Sequence, residues 1–196
     1  MNRTLLVLSG PIASGKSRVA DALVTTHQYE RIRSSAYLRT LARERGFLAD
    51  RSGLQNLGDL LDHETDYRWV ADAAIQNFSD HPQHDRWLLD AARKQRQIDH
   101  LRQLMSPDDI LHVHIWAPEN VLRARYSARY SNEMRASEAD GIDEFNRASA
   151  HPNEVAAREL KTIADVVFDT SVDSTNNIVV GIFDALRGRN AKDSAD

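Results

Sequence analysis

The sequence predicts a three-layer α/β fold, a five-stranded parallel sheet covered by helices on both faces. Three observations carry this. Apolar, β-branched runs of strand length recur at Leu5–Leu8, Trp87–Leu89, Leu111–Trp116 and Val166–Phe168, with Tyr29–Ile32 a weaker fifth. Longer segments with helical spacing lie between them. Strands that alternate with helices form parallel sheets, because each crossover must return across a face of the sheet, and such crossovers are right-handed. The third observation is local: the first strand runs into a short glycine-bearing loop and then a helical pattern, "LLVLSGPIASGKSRVADALV".

In chain order, the spacing predicts helices at Gly15–Thr26, Ala36–Arg45, Gly53–Asp62, Thr65–Phe78, Ala92–Leu104, Pro118–Tyr130, Pro152–Ile163 and Thr175–Leu186. Pro118 and Pro152 fall where a first-turn proline is tolerated. The Asp50–Gly53 string "DRSG" has no apolar strand before it and reads as a loop and helix start. Residues 123–154 are polar and arginine-studded and fall between the fourth and fifth strands, as a lid closing over substrates would. The end of the chain, residues 189–196, is polar and reads as a flexible tail. Residues 1–188 read as a single domain.

Composition narrows the functional classes. The chain has 196 residues, with 41% hydrophobic and 28% charged residues, the range of soluble globular domains. It has no apolar run of membrane-spanning length and no signal-peptide pattern, so the expected location is the cytoplasm, with no membrane partner. The absence of cysteine excludes disulfides and thiolate metal sites. A net charge of −4 argues against a non-specific nucleic-acid coat, though not against a local basic cleft. His112 and His114 alternate along a strand and face one side, but no neighbouring carboxylate completes a ligand set by spacing. A homodimer is left open.

The loop Gly10-Pro11-Ile12-Ala13-Ser14-Gly15-Lys16-Ser17 fits GxxxxGK[ST]. Glycines let the backbone turn tightly and aim successive N–H groups at phosphate oxygens, and the following helix adds its positive N-terminal end. Lys16 is placed to reach the β- and γ-phosphates of ATP, and the Ser17 hydroxyl to complete a Mg²⁺ shell. A switch GTPase also needs a guanine-reading Asn/Thr-Lys-x-Asp segment, and none is found.

With this loop and the landmarks that follow it, the chain resembles the P-loop nucleotide kinase superfamily, above all the nucleoside and deoxynucleoside monophosphate kinases, over residues 4–188. The resemblance implies a P-loop NTPase fold of adenylate-kinase type with a helical lid. "SSAYLRTLARERG" looks like the family's acceptor segment, in which Arg39 would clamp an acceptor phosphate and Ser35 donate a hydrogen bond. In "RSGLQNLGDLL", Gln55 stands where related kinases contact the acceptor. "RWLLDAARKQRQ" looks like the strand ending in Asp followed by a turn to Arg. Asp90 would hold Mg²⁺ through water or act as a base, and Arg93 would face the acceptor; Ala91 stands where many relatives have glycine. Arg125 and Arg129, four residues apart on one helical face, resemble lid arginines that neutralise the transferred phosphoryl group; Arg123 points elsewhere. "ADVVFDTSVDS" resembles the loop that packs on the nucleotide base.

Kinases that phosphorylate a hydroxyl commonly carry a carboxylate to take its proton, yet no acid occurs from Arg31 to Arg39. A phosphate acceptor is already ionised and needs arginines instead. This favours a nucleoside monophosphate-like small molecule. Two other readings stay open: a phage-type kinase of a hydroxymethyl group on a modified pyrimidine in DNA, for which Asp90 would be the base, and a non-catalytic NTP-binding regulator.

Overall fold

The structure, a computed structural model, describes residues 3–90, 92–106, 109–135 and 137–193. Its centre is a five-stranded sheet in the order β2-β3-β1-β4-β5, every pair parallel. The strands are β1 (Thr4–Ser9), β2 (Glu30–Arg31), β3 (Arg86–Leu89), β4 (Ile110–Trp116) and β5 (Val166–Asp169). The expected parallel α/β sheet is therefore present, and the weak second strand is its short edge.

The two faces follow from side-chain alternation. Leu6 and Leu8 of β1 face α1 (Lys16–His27) and α9 (Thr175–Asp193), packing with Val19, Leu23, Ile178 and Ile182. Leu5 and Val7 face the opposite layer. That layer is built by α2 (Ser34–Arg45), α3 (Arg51–Glu64), α4 (Trp69–Asp80) and α5 (Gln95–Leu104). The chain then returns over β4 through α6 (Glu119–Met134), α7 (Glu138–Ser149), α8 (Pro152–Glu159) and a 3₁₀ turn, Leu160–Ile163. Among the described residues no helix is long and apolar enough to cross a membrane.

Several boundaries differ from the sequence expectation, each for a local reason. The helix expected from Thr65 begins at Trp69, because Asp66 and Tyr67 take positive φ in the turn from α3. The helix expected from Ala92 begins at Gln95. The buried Gln97 side chain accepts from the Arg93 and Lys94 amides at 2.9 and 3.3 Å and holds them outside the helix. Asp50 caps α3 by accepting from Gly53 N at 2.7 Å, so "DRSG" is a helix start. The last helix does not stop at Leu186; it runs to Asp193. Arg189 donates to Ile110 O at 2.5 Å and lies 2.9 Å from Asp165, which polarity alone does not reveal. Residues 194–196 lie outside the described residues.

The expected lid is a helical hairpin. α6 and α7 pack face to face around Leu122, Tyr126 and Phe145, a small core of their own. Ser137 caps α7, accepting from Asp140 N at 3.2 Å. The helices approach closely at Gly141, where a Cβ would lie 2.9 Å from Ser127 Cα.

Under the carboxyl end of β1, Ser9 Oγ lies 2.7 Å from His112 Nε2 and 2.9 Å from His114 Nδ1. All three are fully buried. The histidines thus share Ser9 between them. Burial pushes both imidazoles down to about 4, so both are neutral at physiological pH.

Two outcomes follow. Gly141→Ala, a change that normally favours a helix, is expected to destabilise the protein by about 1–3 kcal/mol, read from the urea midpoint, because the methyl group meets Ser127. A histidine whose folded pKa lies below its unfolded value loses stability as pH falls from the unfolded value toward the folded one. Stability is therefore expected to drop between pH 6.5 and 4 with up to two protons taken up on unfolding. His112→Asn is expected to flatten that slope in urea titrations at stepped pH.

Candidate active site

The loop Gly10–Ser17 leaves the buried end of β1 and enters α1. Gly10 sits at φ 138°, and a Cβ there would fall 1.9 Å from Ile115 O, so the turn over β4 requires glycine. Lys16 folds back along the loop. Its Nζ donates to Gly10 O at 2.6 Å and Pro11 O at 2.8 Å. Burial pushes the Lys16 ammonium down to about 8, with Glu154 opposing that shift and Arg93 adding to it.

On one side of the loop lies a cleft of about 680 Å³, lined by Ser14, Lys16, Ser17, Arg125, Arg129 and Thr170, among others. Arg125 and Arg129 thus both line this cleft from α6, while Arg123 pairs with Glu119 at 3.0 Å. Arg125 donates from Nη1 to Thr170 Oγ1 at 2.7 Å and from Nη2 to Thr170 O at 2.8 Å. Thr170 Oγ1 in turn donates to Ser14 O at 2.8 Å. The arginine is therefore tied to the loop through one threonine at the end of β5. Arg129 lies over the Tyr126 ring at 5.3 Å.

A second, smaller cavity of about 190 Å³ is lined by Leu38, Leu54, Trp69 and Val70 together with Gln55 and Arg93. Asp62, also lining it, accepts from Trp69 Nε1 at 2.7 Å. Burial raises the Asp62 pKa. Between the loop and this cavity stands Glu154, from the first turn of α8. Its Oε2 accepts from Ile12 N at 2.8 Å and its Oε1 from Arg93 Nη1 at 2.6 Å.

Asp90 follows β3 beside the loop, but it does not cap a helix; Lys94 holds the N-cap position of α5. Its partner is Arg31 at 3.7 Å, and both line a depression of about 450 Å³ with Ser35. Arg39 is exposed on α2, and its Nη1 donates to Ser35 Oγ at 3.5 Å. The structure thus gathers Arg93, Arg125 and Arg129 around the two clefts and leaves Arg39 with Ser35. Ala91, where a different turn was expected, lies outside the described residues. Among the described residues no three His, Cys, Asp or Glu side chains cluster to hold a metal.

Glu154 and Thr170 were missed by sequence reading. A glutamate in a first helical turn reads as a solvated partner of the helix dipole. Its partners here lie 142 and 61 residues away, a proximity that only the fold creates.

A family model described as an AAA domain matches residues 5–152. The chain belongs to this AAA domain family. No curated protein matches the sequence. Among solved structures, TT1252 from Thermus thermophilus is similar with a TM-score of 0.58 at 15% identity, over 93% of this chain and 97% of that one. The YorR protein of Bacillus subtilis, solved in complex with phosphorylated GDP, gives 0.52 at 17% identity, over 94% and 96%. A sugar kinase from Janibacter sp. HTCC2649, solved unliganded, gives 0.52 at 16%, over 95% of each chain. At these identities the likeness is one of fold, a parallel α/β sheet shared over nearly the whole chain.

Two expectations test the site. Lys16 must be charged to hold a triphosphate, and phosphates nearby raise its pKa. Binding of ATP is expected to take up close to one proton at pH 8.5–9 and almost none at pH 6.5, read by calorimetry in buffers of different ionisation enthalpy. Thr170→Val removes the hydroxyl that joins Arg125 to Ser14 and is expected to weaken ATP binding about tenfold.

Proposed function

We propose that the protein transfers the γ-phosphoryl group of ATP, with Mg²⁺, to a nucleoside monophosphate-like acceptor. The observation that carries this reading is a phosphate loop that lines one cleft and is joined through Glu154 to the arginine of a second. The larger has the arginines of the hairpin, and the smaller has apolar walls and Arg93.

In this reading the donor triphosphate lies along Gly10–Ser17, with loop amides and Lys16 taking its oxygens. Arg125 and Arg129 neutralise charge on the group in transit. The acceptor enters beside Arg93, whose planar fork suits phosphate oxygens, with Gln55 and the apolar walls on its base. Ser17, at the start of α1, and Asp90, just after β3, would supply the hard oxygens that Mg²⁺ takes. When bound, the ion offsets the negative charge of the phosphates. Arg39 and Ser35 belong to the acceptor side by sequence and would reach an acceptor extending past α2.

A hydroxyl acceptor is the second reading, and a carboxylate at the carboxyl edge of the sheet favours it. Asp90 follows β3 and lines an open depression with Arg31 at 3.7 Å, so a proton acceptor is at hand. A hydroxymethylpyrimidine in DNA falls in this class.

The test is a panel of nucleoside monophosphates, nucleosides, sugars and hydroxymethylpyrimidine DNA, incubated with ATP and Mg²⁺ and followed by ADP release and product mass. Acceptor-dependent turnover is expected with a monophosphate, and none anywhere on the panel would defeat the kinase reading in favour of a non-catalytic NTP-binding module. Lys16→Ala is expected to lower turnover at least about a hundredfold without unfolding the protein. Arg93→Ala is expected to raise the acceptor KM about tenfold or more, and Arg39→Ala to act less strongly.

A further inference from the structure

Glu154 has no role in the mechanism just given, yet it is a buried charge beside the loop. Its side chain is 11% exposed, and a carboxylate so buried is costly unless both oxygens are bonded. Both are: one takes the loop amide of Ile12 and the other takes Arg93. The carboxylate therefore joins the loop, the turn after β3 and the first turn of α8.

Its electrostatic setting is specific. Glu154 and Arg93 both act on Lys16, with opposite sign. Arg93 shares its carboxylate with the Ile12 amide of the loop, so its guanidinium lies beside the loop, where the terminal phosphate of a bound triphosphate would draw it. Glu154 stands on the same side and occupies one nitrogen of the guanidinium. The Arg93 side chain is 51% exposed, so its other N–H groups remain open to a second anion.

We propose that Glu154 is a positioning residue that holds Arg93 off the donor's terminal phosphate and reserves it for the acceptor. The catalytic half of this inference rests on the phosphotransfer reading; the binding half does not.

The experiment compares wild type and Glu154→Gln, which keeps the side-chain size and an oxygen for Ile12 but removes the charge. A non-hydrolysable ATP analogue is expected to bind the variant about five- to tenfold tighter, because the freed Arg93 reaches the third phosphate. ADP affinity is expected to change less than about twofold, and the gain is expected to vanish when Arg93→Ala is added. With an acceptor that wild type uses, kcat/KM for that acceptor is expected to fall about 10–100-fold while the KM for ATP does not rise. Equal shifts for the analogue and ADP, no shift, or a gain that survives Arg93→Ala would overturn the proposal. If Glu154→Gln does not fold, Glu154→Asp, too short to span both partners, is expected to show the same triphosphate-selective gain at smaller size. A wild type without any acceptor turnover would remove the phosphotransfer reading, while the analogue-against-ADP comparison would still decide this one.

Discussion

The site depends on β1 being dry on both faces. Leu5 to Ser9 are fully buried, their side chains alternate into two separate cores, and their backbone pairs with β3 on one edge and β4 on the other. A strand so held has no freedom to twist or slip, because a one-residue shift would exchange the cores. The loop at its end inherits that fixity. Gly10 turns directly against the Ile115 carbonyl, so the floor of the loop is set by β4 as much as by β1.

The remaining parts arrive by the same route. Asp90 follows β3, the hairpin follows β4, and Thr170 follows β5, all at the carboxyl edge where open α/β sheets bind ligands. The loop forms a wall of the larger cleft, and Glu154 joins it to Arg93, which lines the smaller. Thr170 ties the loop to Arg125 on one side, and Glu154 ties it to Arg93 on the other. Both ties use short polar side chains bonded to loop backbone, so the loop's shape and the placement of the two arginines are set together.

The sequence was most legible where periodicity and burial agree. β4, "ILHVHIW", is buried along nearly its whole length and was readable as an apolar run even with two histidines in it. The loop was readable because its chemistry needs particular residues at fixed spacing. Arg125 and Arg129 were readable as neighbours because a helix places residues four apart on one face. What stayed hidden is long-range. Nothing in "HPNEVAARE" shows that its glutamate reaches Ile12, and nothing in "ARKQRQ" shows that Gln97 would delay a helix by holding two amides outside it. Arg39 meets Ser35, the other residue of its segment that the sequence singles out, because four residues make about one helical turn.

The buried group of Ser9, His112 and His114 also has a polarity. Ser9 has one hydroxyl proton and lies within hydrogen-bond distance of both rings. With both rings neutral, it can give that proton to only one of them, and the other ring must give one to it. The tautomers are therefore correlated, as a two-position relay in which every proton points the same way along β1 and β4. Because Ser9 immediately precedes Gly10, the direction of that relay is a hidden coordinate of the molecule, lying one peptide bond below the loop.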